Sequence, residues 1–66
     1  MARIIVAPPS RSGGRRVRAD GEILGVAYGV PDLLEFCRRA GLDPDDIDLY
    51  DRALIEWRGG GPEVWI

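Results

Sequence analysis

Four arginines, Arg11, Arg15, Arg16 and Arg18, crowd a stretch that holds no carboxylate. A guanidinium presents five N–H donors in a rigid fork, which suits it to phosphate and carboxylate recognition. Within the stretch, Ser12-Gly13-Gly14-Arg15-Arg16 could arrange successive backbone N–H groups as an anion-binding nest. It lacks the G-K-[ST] ending of a P-loop, so a plain Gly-rich loop accounts for it better than a nucleotide site. Other reactive chemistry is sparse. A Ser or Cys nucleophile needs a neighbouring base, and the chain contains neither His nor Lys. Its one cysteine, Cys37, falls on a predicted buried stripe, where a thiol is inert. Paired carboxylates are the acid–base equipment that remains, and the acids of 43–51 read as a solvated surface. They do not make a calcium loop. Counting from Asp43, an EF-hand needs Asp or Asn, Gly and Glu where Ile47, Asp48 and Leu54 stand. A lone Cys without His also excludes the usual zinc sites. The expectation is a protein without catalytic activity, cofactor or metal.

Charge is unevenly spread. Arg3, Arg11, Arg15, Arg16 and Arg18 precede the first acid, Asp20, whereas eleven acids face Arg38, Arg39, Arg52 and Arg58 in the remainder. Such asymmetry points to an interaction arm, or to neutralisation of one half by the other within the fold or across a dimer. Nucleic acid is one candidate partner, because a two-stranded ribbon bearing arginines can enter a major groove. A pI near 4.9 and the lack of aromatic residues among the arginines weigh against it. All basic residues are Arg, and Asn, Gln and Thr are missing, a bias that fits a GC-rich bacterial coding sequence. No apolar run approaches the ~20 residues that span a bilayer, and MARIIVAPPS is too short in apolar character for a secretory signal. With one Cys and no signal, the cytoplasm is the expected compartment.

These residues must be positioned by a small scaffold. Sixty-six residues make one domain, 1–66, whose core rarely supplies more than about 3–5 kcal/mol. Val17–Leu42 organises it. Arg15–Ala19 and residues 22–27 read as strands joined by Asp20-Gly21, a two-residue hairpin signal. That turn sets Ala19 opposite Glu22, Arg18 opposite Ile23, Val17 opposite Leu24 and Arg16 opposite Gly25. Val17, Ala19, Leu24 and Val26 then form the core face, and Arg16 and Arg18 lie on the other face with Ile23, Gly25 and Ala27. Gly25 marks a bulge or a close backbone approach. A helix over about 31–40 buries Leu33, Phe36, Cys37 and Ala40, with Gly41 and Leu42 as its terminator.

The flanks complete a sheet. Residues 3–7 are a β-branched strand ended by Pro8-Pro9, and 8–14 is a flexible loop. Asp43-Pro44-Asp45-Asp46 starts a short helical turn near 44–49. A Gly59-Gly60-Gly61-Pro62 loop joins strands over about 53–58 and 63–66. The predicted fold is α+β: a small antiparallel sheet of four to five strands with one α-helix packed on one face. From Arg15 onward the β-β-α-β-β order is similar to the β-grasp order in topology alone. The Gly-Gly tail of sulfur-carrier members is missing, so the resemblance implies no function.

One helix covers one face of a thin sheet. The Gly-rich loop sets Arg58 opposite Glu63, Trp57 opposite Val64, Glu56 opposite Trp65 and Ile55 opposite Ile66, so Trp57 faces the core, while Trp65 and Leu54 join Ile23 on the other face, rimmed by Arg16, Arg18 and Glu56. Arg15, Arg16, Arg18, Ile23, Leu54 and Trp65 are therefore the candidate binding residues, since exposed apolar patches with Trp and Arg mark partner sites. The sequence predicts a small interaction or adaptor-type protein, acting as a homodimer or subunit, with no membrane and no small-molecule substrate. The alternative is a nucleic-acid-binding regulator that uses the Arg11–Arg18 arm.

Overall fold

The computed structural model describes residues 2–66. Its elements run β1 (Ile4–Pro9), β2 (Arg15–Ala19), β3 (Glu22–Ala27), α1 (Val30–Arg39), a 3₁₀ turn (Pro44–Asp46) and β4 (Ile55–Trp57). The four strands form one sheet in the order β3-β2-β1-β4, with α1 against one face, so the fold is α+β.

Alternation in the strands builds the core. Ile4 and Val6 of β1, Val17 and Ala19 of β2, Ala27 of β3 and Ile55 of β4 are buried with Leu33 and Cys37 of α1. Each aliphatic side chain buried in this way contributes about 1.5–3 kcal/mol against exposure to water. The Asp20-Gly21 hairpin forms as expected, with φ of 51° and 87° at its two central residues. Helix α1 ends in the anticipated Schellman arrangement: Leu42 N–H donates to Cys37 C=O and Gly41 N–H to Arg38 C=O. At the other end Asp32 turns back to accept from Tyr28 N–H, which fixes the entry from β3.

Three expectations are corrected. The sheet is mixed rather than antiparallel, because β4 runs parallel to β1, with Ile4 opposite Ile55 and Val6 opposite Trp57. Helix α1 and the following turns carry the chain back across the sheet, so β4 enters beside β1 in the same direction. Secondly, Val64–Ile66 forms no strand. Its carbonyls are diverted to the start of β2 and the residue before it: Val64 C=O accepts from the Arg15 side chain and Trp65 C=O from Gly14 N–H. Without that strand the β-β-α-β-β order does not occur either.

Thirdly, the β2–β3 register shifts by one residue after Arg18. Val17 stands opposite Gly25, Arg16 opposite Val26 and Arg15 opposite Ala27. The extra residue, Leu24, sits in a bulge and stays packed on the core, so Gly25 and Ala27 take the core face and Val26 the open one. Gly25 has φ of 149°, and a Cβ there would lie 2.8 Å from the Phe36 ring. Both readings of this glycine therefore hold: it bulges the strand and lets the α1 ring approach the backbone.

The acids of 43–51 make turns. The carboxylates of Asp43, Asp48 and Asp51 each accept from the backbone N–H two residues on, at Asp45, Tyr50 and Ala53. This chain of Asx turns leads from α1 to β4. Trp57 fastens it by donating Nε1–H to Leu49 C=O at 2.7 Å.

Candidate functional site

Arginine side chains alternate across β2, and the alternation gives them opposite environments. Arg15 points to the core side with Val17 and Ala19 and is fully buried. Its Nε donates to Ala7 C=O at 2.8 Å, Nη1 to Gly61 and Val64 C=O at 2.9 and 2.8 Å, and Nη2 to Arg58 and Gly60 C=O at 2.9 and 2.8 Å. All five donors of the fork are used, and every acceptor is a backbone carbonyl. The glycines of 59–61 aim those carbonyls inward, with φ of 82° at Gly59 and 115° at Gly60. Above the guanidinium lie the rings of Trp57 at 5.2 Å and Trp65 at 5.7 Å, packed edge to face with centroids 6.0 Å apart. Trp65 Nε1–H is itself held by Pro62 C=O at 2.7 Å. Burial lowers the Arg15 pKa, and the Glu63 carboxylate opposes that shift. Arg15 is the knot that ties the C-terminal segment to the sheet.

Arg16 and Arg18 point the other way, onto the sheet face that α1 leaves uncovered. Cross-strand pairing places Ile23 of β3 on one side of Arg18 and Ile5 of β1 on the other, with Glu56 of β4 beyond Ile5. Val26 stands beside Arg16. Ile23 is 57% exposed and Val26 40%, and Tyr28, just past β3, is 67% exposed. Two depressions flank this row. One of about 270 Å³ is lined by Arg3, Ile5, Arg18 and Asp20, the other of about 400 Å³ by Pro8, Gly14, Arg16, Val26 and Tyr28.

The charges on this face are unequal in their freedom. Arg3 is paired with Asp20 at 3.1 Å, and Arg58 is paired with Glu56. Among the described residues no carboxylate lies within ion-pair distance of Arg16 or Arg18. Glu22 shares the core side with Ala19, near Arg39 at the other face.

The structure thus brings together Arg16, Arg18 and Ile23 of the six candidate residues and separates the other three. Arg15 is sealed in the interior. Trp65 covers it rather than joining the open face, because its segment follows the Arg15 donors instead of pairing as a strand. Leu54 is half-buried against the core, and its carbonyl accepts from Ile4 N–H. Sequence reasoning missed the role of Arg15 although a signal was present: it shares the odd-numbered parity of Val17 and Ala19, the core face of β2. Ile5 and Val26 were also missed, the second because the bulge reverses its side.

A groove of about 550 Å³ follows the free edge of β4 between Tyr50, Arg52 and Trp57 on one side and Pro62 and Glu63 on the other. Cys37 is buried, and burial pushes its thiol pKa up. Among the described residues no group of three or more His, Cys, Asp or Glu could hold a metal ion, and no helix is long and apolar enough to cross a membrane. No family model matches the chain, no curated protein is similar to it, and no solved structure matches it.

Proposed function

We propose that this chain is a small non-catalytic protein that works by association, as an adaptor or subunit whose partner seats on the open sheet face. One observation carries the reading: among the described residues Arg16 and Arg18 pair with no carboxylate, on a face that also exposes Ile23 and Val26. Apolar side chains left open beside unpaired arginines are the composition of an interface rather than of a solvated surface. The two sheet edges are poorer candidates. β3 is bulged at Leu24 and Gly25, and β4 is three residues long, both of which blunt strand addition. A second copy docked face to face about a two-fold axis would bring like charges together, which favours a different protein as partner.

A cytoplasmic, bacterial setting fits the composition and the single thiol. A second reading, nucleic-acid binding by the Arg11–Arg18 arm, is favoured by the same unpaired arginines. It is weakened by the loss of Arg15 to the interior. The test is affinity capture from the native host with the wild-type chain and with Ile23→Glu/Arg18→Glu, scoring protein and nucleic acid separately. The reading predicts a protein held by the wild type and lost by the variant. Retention of nucleic acid, or proteins held equally by both, contradicts it.

A further inference from the structure

Resting on that reading, we infer that the partner's docking element is an acidic amphipathic helix laid along β2, with carboxylates on Arg16 and Arg18 and aliphatic side chains on Ile5, Ile23 and Val26. The geometry of the face sets three conditions on any ligand. First, its charge: two exposed guanidiniums, unpaired with any carboxylate among the described residues, are free to take anions from outside. Second, its texture: Arg18 is bracketed by Ile5 and Ile23, and Arg16 is flanked by Val26. An anion that reaches Arg18 must therefore bring apolar groups to both sides of it. A sugar–phosphate backbone offers fewer apolar groups beside its phosphates than a helix does, and β1, β2 and β3 carry no aromatic, so Tyr28, just past β3 beside Arg16, is a single ring rather than a stacking row. A side-chain carboxylate between aliphatic neighbours meets the condition.

Third, its dimensions. Arg16 and Arg18 are two residues apart on one strand, about 6.6 Å. Carboxylates four apart on a helix are spaced about 6 Å, so Glu residues at i and i+4 meet both arginines at once. Four strands at about 4.8 Å spacing give a face roughly 14 Å wide, enough for one helix of about 10–12 Å diameter. The opposite face already takes one helix, α1, and a second would complete a three-layer packing. The depressions beside Arg18 and Arg16 lie at the two ends of the track such a helix would follow.

The test is an amide-shift titration of the labelled full chain with a stapled helix of about 14 residues, about 21 Å long, bearing Glu at i and i+4 and Leu on the flanking positions. The same helix with Gln for Glu, a short DNA duplex and a single-stranded RNA oligonucleotide complete the set. The acidic helix is expected to shift the amides of Ile5, Arg16, Arg18, Ile23 and Val26 and to leave those on the outer side of α1 unmoved. Replacing Glu by Gln, or making Arg18→Glu in the chain, is expected to weaken binding about tenfold. The charge-reversed pair, Arg16→Glu/Arg18→Glu with Lys for Glu in the peptide, is expected to restore it, which a merely unfolded variant could not do. Shifts on this face from DNA or RNA but not from the acidic helix would overturn the partner class while leaving the face as the site. Shifts confined to another surface, or none with any probe, would overturn both.

Discussion

Arg15 and Arg16 are neighbours on one strand and meet opposite fates. Arg15 is enclosed by Trp57 and Trp65 and gives all five donors to backbone carbonyls. Arg16, one residue on, faces the open side of the sheet without an ion-pair partner among the described residues, as does Arg18. The same residue type is a structural bolt on one face and a free charge on the other. What decides is the period of two in a strand together with what each face is offered. The core face meets a Gly-rich loop able to turn carbonyls inward. The open face meets Ile5, Ile23 and Val26, and among the described residues no acceptor bonds to the Arg16 or Arg18 guanidinium. A run of arginines therefore need not be read as one basic arm: here part of it is held inside the fold.

The contrast can be broken most forcefully at Arg15. Arg15→Ala removes a donor from five carbonyls, of which Gly61 C=O still accepts from Val64 N–H, and leaves two indole rings without their filler. Buried groups left unpaired cost about 1–3 kcal/mol each before water enters. The loss is expected to exceed about 3 kcal/mol, comparable with the whole stability of so small a core. Urea unfolding followed by Trp fluorescence should show the variant unfolded or with its C-terminal segment released at 25 °C. Arg15→Lys keeps the charge but not the fork and should fall between the two, which separates hydrogen bonding from charge.

A smaller effect is expected at the bulge that decides which β3 residues reach the open face. Gly25→Ala places a Cβ 2.8 Å from the Phe36 ring at a φ of 149°. Strain of this kind is of order 1–3 kcal/mol. The expected outcome is a lowered urea midpoint with altered Phe36 ring shifts, and changed amide shifts at Val26. If Val26 is unmoved, the bulge does not control the open face.

Arg16→Ala and Arg18→Ala sharpen the contrast from the other side. Neither loses a side-chain hydrogen bond or an ion pair among the described residues, so both should leave the unfolding free energy within about 0.5 kcal/mol of wild type. A loss of stability at either as large as at Arg15 would remove the distinction.

Glu35 offers an exposed, paired reference. Arg38 donates to its two oxygens at 2.8 and 2.7 Å and holds its pKa down at about 2. A depressed carboxylate contributes stability that is present above its unfolded value and lost as pH falls through about 2. Solvent screens this pair, so Glu35→Gln should shift the urea midpoint only slightly, and added salt should erase the difference. A carboxyl resonance titrating near its ordinary value would show that the pair does not persist in solution.

Much of the fold was legible because it rests on local chemistry. Asp20-Gly21 fixed the hairpin, and Leu33, Phe36 and Cys37 with Gly41 and Leu42 fixed α1 and its end. What escaped depended on distant partners. Val64–Ile66 has strand composition, but a strand needs a partner along its length, and Arg15 claims the Val64 carbonyl from forty-nine residues away. The parallel entry of β4 depends on the route of the Asx turns, which set direction only when summed. The β2–β3 bulge turned on one residue, and one residue exchanged Val26 for Gly25 on the core face. Of the candidate site, Arg16, Arg18 and Ile23 were legible from alternation, and Trp65 was misplaced because its segment is held by the Arg15 side chain and Gly14 N–H rather than paired as a strand.

The two fates of the arginines can be read without any mutation, from hydrogen exchange at the guanidinium Nε–H groups by NMR. The Arg15 Nε–H, bonded to Ala7 C=O at 2.8 Å in the interior, should exchange many times more slowly than those of Arg16 and Arg18, which should exchange as in a free peptide. An Arg15 Nε–H that exchanges as fast as the other two would contradict the account.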